Sequence, residues 1–190
     1  MATSRQPVPV LLAYDIDPSW EQADLESVLD ELRDMWRSLE QAGHTVVPVP
    51  VGATGVRDAL APFEPDRFVV LNWIESLPGV RHGDVIAAAE LEEAGYTYTG
   101  PAPQTIALSW DKPRVKRVLE RAGVATPRWR LCSTPDDVSG WDRFPAIVKP
   151  AYEHCSIGVT RLAVACSADE LTERVGFVLG ELRQPALVEE

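Results

Sequence analysis

The sequence predicts an α/β fold in two parts, and three observations carry that prediction. Short apolar runs alternate with longer amphipathic stretches through residues 1–100, the pattern of strands and helices layered on a mostly parallel sheet. Beyond Pro101 the texture changes to short helices and strands without that alternation, so a second, α+β part is expected over 101–190. The charge changes at the same place: residues 1–100 carry 6 basic and 17 acidic groups, whereas 101–190 carry 12 of each.

The first part divides readily into elements. Val8–Tyr14 is an apolar run that fits a strand buried on both faces. Leu25, Val28, Leu29, Leu32, Trp36 and Leu39 recur at helical spacing, and Gly43 is placed to end that helix. His44–Val51 and Arg67–Trp73 read as the second and third strands. Asp84–Ala94 reads as a helix stopped by Gly95, and Tyr96–Thr99 as a short strand closing on Gly100-Pro101. This architecture is Rossmann-like, yet no G-x-G-x-x-G follows the first strand, where Tyr14-Asp15-Ile16-Asp17-Pro18 stands instead. A dinucleotide-binding dehydrogenase fragment therefore has no positive support.

In the second part Ala102–Leu108 is expected to be a short helix. Asp111 caps another running through Ala122 to a stop at Gly123, with Pro113 in its first turn, where a missing N–H costs little. Arg128–Cys132, Ala146–Lys149, Thr160–Cys166 and Ala186–Glu190 read as strands. Thr134-Pro135-Asp136-Asp137 opens a short helix, and Ser167-Ala168-Asp169-Glu170 is a capping-box start for a helix to about Arg183.

Composition narrows the function. A chain of 190 residues with 45% hydrophobic and 25% charged residues can bury its own core without staples. A net charge of −11, concentrated in the first part, argues against a nucleic-acid partner, which needs a basic footprint. No apolar run approaches the ~20 residues of a membrane span. Met1-Ala2-Thr3-Ser4-Arg5-Gln6 lacks the features of a signal peptide, so the cytoplasm is the expected location. Cys132, Cys155 and Cys166 show no C-x-x-C spacing, and His44, His82 and His154 are far apart, so no transition-metal site is expected.

Three pieces in order resemble the D-alanine–D-alanine ligase family of the ATP-grasp superfamily. They are Tyr98-Thr99-Gly100; then Asp111-Lys112 with Lys116 and Gly123-Val124-Ala125-Thr126-Pro127; then Pro145-Ala146-Ile147-Val148-Lys149-Pro150 followed by Glu153-His154-Cys155-Ser156-Ile157-Gly158. Leu187-Val188-Glu189-Glu190 looks like that family's strand into its adenine-binding hinge. The resemblance implies a pre-ATP-grasp Rossmann-like domain over 1–100 and the N-terminal part of an ATP-grasp domain over 101–190, stopping before the family's catalytic end. It implies an ATP-dependent carboxylate–amine ligase acting through an acyl phosphate, with ATP and Mg2+ as cofactors and amino-acid-like substrates. The magnesium ligands and catalytic groups are expected beyond these residues, so the chain by itself should be inactive. A homodimer, or a separate chain supplying the remaining half, is the partner to expect.

By position in the resemblance, Lys112 and Lys149 contact ATP phosphates, and the loop with Glu153, Ser156 and Gly158 closes over them. Glu189, with backbone near Glu190, recognises the adenine amino group. The chain has only three lysines, Lys112, Lys116 and Lys149, against fifteen arginines, and two of the three stand where the resemblance requires them. His154 and Cys155 are bulkier than the small residues common in that loop, and Cys155 reads as a residue lining a lid rather than a nucleophile. For the substrate, Asp15 or Asp17 could hold an ammonium group or merely cap the turn before Pro18. Glu75 and His82 follow the third strand, at the edge where α/β sheets bind ligands, or are merely polar loop residues leading to a helix cap at Asp84. The alternative from another class is a non-catalytic nucleotide-, ligand- or partner-binding module, exposing Phe177, Leu187 and Val188 on an open face.

Overall fold

The computed structural model describes residues 7–190, so the opening stretch from which no leader was expected lies outside the described residues. By contacts the chain divides into a unit ending at Ile106 and a unit from Ala107 to Glu190, against a division placed after Gly100 from the sequence.

The first unit is a parallel four-stranded sheet in the order β2-β1-β3-β4. Its strands are β1 (Val10–Asp15), β2 (Val46–Val51), β3 (Val69–Trp73) and β4 (Thr97–Tyr98), with Val10 opposite Val46 on one side and Val69 on the other. Helices α1 (Gln22–Gln41), α2 (Gly55–Leu60) and α3 (Gly83–Glu93) make the crossovers. Alternation along β1 explains its continuous apolar run. Leu11 and Ala13 face one core cluster with Val56, Leu60, Ala87 and Leu91 of α2 and α3. Val10 and Leu12 face the other, with Leu32 of α1. Each fully buried Leu here contributes about 1.5–3 kcal/mol by leaving water. The expected apolar stripe of α1 meets the sheet through Leu29, Leu32, Trp36 and Leu39, and the chain turns out of α1 at Gly43, whose φ is +93°.

Helix α2 is not anticipated by the sequence. Its first residue, Gly55, has a positive φ, and Thr54 supplies no side-chain cap. The cap comes from Glu90 on α3, whose Oε2 accepts the backbone N–H groups of Val56 (2.8 Å) and Arg57 (3.1 Å). A negative charge at a helix start is favourable for both the orphan donors and the dipole.

The second unit contains an antiparallel sheet in the order β5-β8-β6-β7. Its strands are β5 (Trp129–Cys132), β6 (Ala146–Pro150), β7 (Val164–Ala165) and β8 (Ala186–Glu189). Helix α4 (Pro103–Ser109) spans the division between units, and α5 (Lys112–Arg121) and α6 (Ala168–Glu181) complete the elements. Leu171, Val175 and Val178, on one face of α6, bury against Cys132, Ala146, Val148 and Val188 of the sheet. The α6 start is as read from the sequence: Ser167 Oγ accepts the Glu170 N–H, and Glu170 reaches back to the Cys166 N–H.

Two expectations are corrected. Thr160–Cys166 is not one strand but a 3-10 turn over Arg161–Ala163 followed by the two-residue β7, because Thr160 Oγ1 accepts the Leu162 N–H and turns the chain. Leu187 and Val188 are not exposed. They are fully buried, since β8 lies in the middle of the sheet between β5 and β6, and Phe177 alone of the three stays substantially exposed. Among the described residues no helix is long and apolar enough to cross a membrane.

Gly83 opens α3 where the chain passes very close to itself. A Cβ there would lie 2.3 Å from the Leu77 backbone nitrogen, with Leu77 already paired to Val80 in a small bridge. Gly83→Ala is therefore expected to destabilise the first unit by about 1–3 kcal/mol through overpacking, read as a lower urea midpoint with an unchanged slope.

Candidate functional site

Helix α5 sets up the site. Asp111 Oδ1 accepts the Arg114 N–H at 2.9 Å and fixes the helix start as expected. Lys112 and Lys116 then follow one helical turn apart, on one face. The Lys112 ammonium donates to the carbonyl oxygens of Pro150 (3.1 Å) and Glu153, at the end of β6 and in the loop beyond it. Its backbone N–H donates to Ala151 O at 3.2 Å.

Strand β6 buries Ala146, Val148 and Pro150 and turns Lys149 to the other side of the sheet. In the antiparallel register Ile147 faces Glu189 and Lys149 faces Leu187, so Lys149 and Glu189 are diagonal neighbours on one face, within reach of long side chains. The Glu189 carboxylate is shared. Oε2 receives Lys149, and Oε1 receives Lys116, whose ammonium also donates to Thr126 Oγ1. The side chains of Lys116 and Glu189 are 10% and 9% exposed, and that of Lys149 is 30% exposed.

Burial alone would raise the Glu189 pKa, but the hydrogen bonds and charges of Lys116 and Lys149 outweigh it and hold the carboxyl below its ordinary 4.5. Lys112 moves the opposite way for a base. Burial lowers its pKa below 10.5 and the Lys149 charge adds to that, while Glu153 and Glu189 resist it.

The loop after β6 is anchored at several points. Gln184 accepts the Tyr152 N–H and donates to the Glu153 carboxylate, both at 2.9 Å. The His154 ring stacks on Trp110 with centroids 4.0 Å apart and 5° between planes, and its Nε2 lies 3.3 Å from Ser109 Oγ. Cys155 and Ser156 adopt left-handed φ values of 53° and 57°. At Gly158 the requirement for glycine is double: φ is +69°, and a Cβ would lie 2.5 Å from Leu182 Cδ1. The Gly158 carbonyl accepts from the buried Arg174, whose guanidinium lies over the Phe177 ring at 4.2 Å.

The structure thus gathers Lys112, Lys149, Glu153 and Glu189 around the ends of β6 and β8. Ser156 lies in the turned, exposed part of the loop, and the Glu190 N–H is held by Arg128 O at 3.0 Å. Sequence reasoning gave no role to Lys116, Arg174, Gln184 or Trp110. For Lys116 a signal existed, since it is the third of only three lysines and lies one turn from Lys112.

Asp15, Glu75 and His82 belong to the first unit. Asp15 is buried and already engaged: Oδ1 accepts the Glu75 N–H (3.1 Å), and Oδ2 accepts the Ser76 N–H (3.1 Å) and hydroxyl (2.6 Å). Asp17 closes a local turn, taking the N–H and Oγ of Ser19, and these bonds lower its pKa. His82 precedes α3 in the left-handed region, with φ of 54°.

No protein-family model matches the chain. Among curated proteins, D-alanine–D-alanine ligase from Pseudomonas fluorescens is 34% identical over 139 residues, covering 72% of this chain and 40% of that protein. The ligase from Methylococcus capsulatus is 33% identical over 156 residues, covering 80% and 48%. The solved D-alanine–D-alanine ligase of Bacillus anthracis superposes over 96% of this chain and 56% of its own with a TM-score of 0.61 at 18% identity. The same enzyme complexed with ATP gives a TM-score of 0.60 at 17% identity, covering 97% and 57%.

A parallel-sheet unit followed by this antiparallel sheet is the fold that the chain shares with these solved ligases. In sequence the chain is D-alanine–D-alanine ligase-like over most of its length. It spans about half the length of the curated relatives it matches.

Two measurements check the site's electrostatics. The fold lowers the proton affinity of Glu189, so this group stabilises the native state above pH 4.5 and ceases to as pH falls from 4.5 through its lowered value. Glu189→Gln is expected to flatten that portion of the stability–pH curve, measured by urea melts between pH 3 and 6 (roughly the carboxylate range). The Cys132 thiol is buried and pushed up to about 11, by burial first and then by Asp137 against the opposing Arg130, whereas Cys155 and Cys166 are exposed. Alkylation of the native protein at about pH 8 should label Cys155 and Cys166 quickly and Cys132 only on unfolding, as read by peptide mass spectrometry.

Proposed function

We propose that this chain supplies the nucleotide-binding part of an ATP-dependent carboxylate–amine ligase, D-alanine–D-alanine ligase-like, that works through an acyl phosphate. The observation that carries the reading is the state of Lys112: a desolvated ammonium whose hydrogen-bond partners, Pro150 O and Glu153 O, are neutral carbonyls. A half-buried cation held so is poised for an anion, and a phosphate oxygen would relieve its partial desolvation.

In this reading Lys112 and Lys149 hold the ATP phosphates, and the loop carrying Glu153, Ser156 and Gly158 covers them. Glu189 accepts from the adenine amino group, and the backbone at Glu190 completes the contact. A carboxylate oxygen of the first substrate attacks the γ-phosphorus and ADP leaves. The second substrate's amine then attacks the acyl carbon, phosphate leaves and the nitrogen loses a proton. Both steps gather negative charge on phosphoryl oxygens, which fixed lysines stabilise without reorganising. In this reading magnesium accompanies ATP, and the resemblance implies that its ligands and the oxyanion-stabilising groups come from a part of the family's fold that residues 1–190 do not match. The substrates are amino-acid-like carboxylates and amines, and Asp15, Glu75 and His82 mark the edge of the first unit to test for them.

The test is calorimetric titration of the chain with ATP. Lys149→Ala should remove a charge-assisted contact worth about 1.5–3 kcal/mol, a loss of roughly ten- to a hundredfold in affinity. Unchanged ATP affinity in this variant would sink the assignment of Lys149.

A further inference from the structure

Glu189 is held by two lysines that differ in one respect. Lys116 is as buried as the carboxylate, rises from α5 beneath it, and is fixed by a second partner, Thr126. Lys149 is three times as exposed, and its ammonium rests on Glu189. An arriving anion can therefore draw Lys149 away, whereas Lys116 has nowhere to go. Once Lys149 leaves, Glu189 remains in the centre strand with a buried negative charge, and that charge is tolerable only while another cation stays on it.

We propose that Lys116 is the positioning residue of the nucleotide site: the resident counter-ion that keeps Glu189 ionised and in place while Lys149 exchanges its carboxylate partner for a phosphate. This rests on the nucleotide reading above and adds to it a division of labour among the three lysines. Lys112 supplies standing positive charge, Lys149 is the exchangeable contact, and Lys116 makes the exchange possible without a proton. The charged groups around Glu189 are Lys116 and Lys112 from α5, Lys149 from β6 and Glu153 from the loop, the last acting through Lys112.

The sign of the consequence follows. Without Lys116, freeing Lys149 forces Glu189 to take up a proton, so ATP binding becomes coupled to proton uptake and strengthens as pH falls. The experiment is titration of the wild-type chain, Lys116→Met, Lys116→Arg and the double variant Lys116→Met/Glu189→Gln with ATP between about pH 5.5 and 8.5, a span centred on neutrality that lies above the ordinary glutamate pKa. Each curve is referred to the wild type, so that the protonation of ATP itself cancels. Lys116→Met should lose about tenfold or more in affinity at the alkaline end and recover toward the acid end. Lys116→Arg keeps a cation on the carboxylate and should stay parallel to the wild type. The double variant has no carboxylate to protonate and should lose the pH dependence. Lys116→Met still leaves Glu189 paired with Lys149 in the free protein, and native far-ultraviolet dichroism with a cooperative melt confirms its fold.

A loss in Lys116→Met that is equal at every pH, or no loss at all, would overturn this inference and leave the nucleotide reading standing. A wild-type chain that binds no ATP would overturn both.

Discussion

Strand β8 carries a carboxylate into the interior of the second unit, and the sheet can hold it there because two ammonium groups arrive from different elements to meet it. Taking three charges out of water is costly, and the mutual attraction offsets that cost only with good geometry. The geometry here is set by three separate features: the register of β6 against β8, the turn of α5 that presents Lys116, and Thr126 beyond that helix. A slip of one residue in β8 would turn Glu189 to the opposite face, into the apolar layer that Val188 now shares with α6, and bring Val188 to the lysines. The ion cluster thus specifies the sheet's register as well as the chemistry at its edge. Buried charge is poor evidence for stability in general, but it is good at making wrong arrangements expensive.

The loop after β6 depends on that frame. Its residues take conformations that a side chain adopts reluctantly, left-handed at Cys155 and Ser156, and they are held by groups from four directions. Lys112 binds the Glu153 carbonyl, Gln184 binds Tyr152 and Glu153, Trp110 takes the His154 ring, and Arg174 takes the Gly158 carbonyl. Such strain persists only where the surroundings over-determine it. The bulky His154 does not crowd the loop, because Trp110 gives its ring a stacking surface. A loop so restrained has less freedom to lose when something settles against it.

Much of this was legible in the sequence, because the signals were local. The double-faced run of β1, the stripe of α1, the glycine stop at Gly43, the Asp111 cap and the Ser167–Glu170 box each depend on residues within one element. What was not legible depends on distant partners. Helix α2 is six residues long and capped by Glu90 on α3, so nothing in Gly55–Leu60 itself announces it. The 3-10 turn at Arg161–Ala163 hides in an apolar run whose strand-like composition is overridden by Thr160. Leu187 and Val188 could be read as an open edge because an order of elements along a chain does not say which strand lies between which. Lys116 was visible as a rare residue, but its role required the side-chain distances. At Asp15 the sequence offered a turn or a ligand, and the three donors that its carboxylate accepts come from Glu75 and Ser76, partners too distant in the chain to be read from it.

The placement of β8 also orders events in time. Strands β5 and β6 do not pair with each other; each pairs with β8, which is more than thirty residues downstream of both (roughly two seconds or more of synthesis at ribosomal rates). The first unit has all four of its strands once Tyr98 has been made. On an emerging chain the two units therefore mature on different schedules. The first can close its sheet while the second still waits with Val148 and Cys132 uncovered. During that interval the edges of β5 and β6 are open to pairing with any other extended segment, and the arrival of Ala186–Glu189 both ends the hazard and delivers the anion that the lysines require.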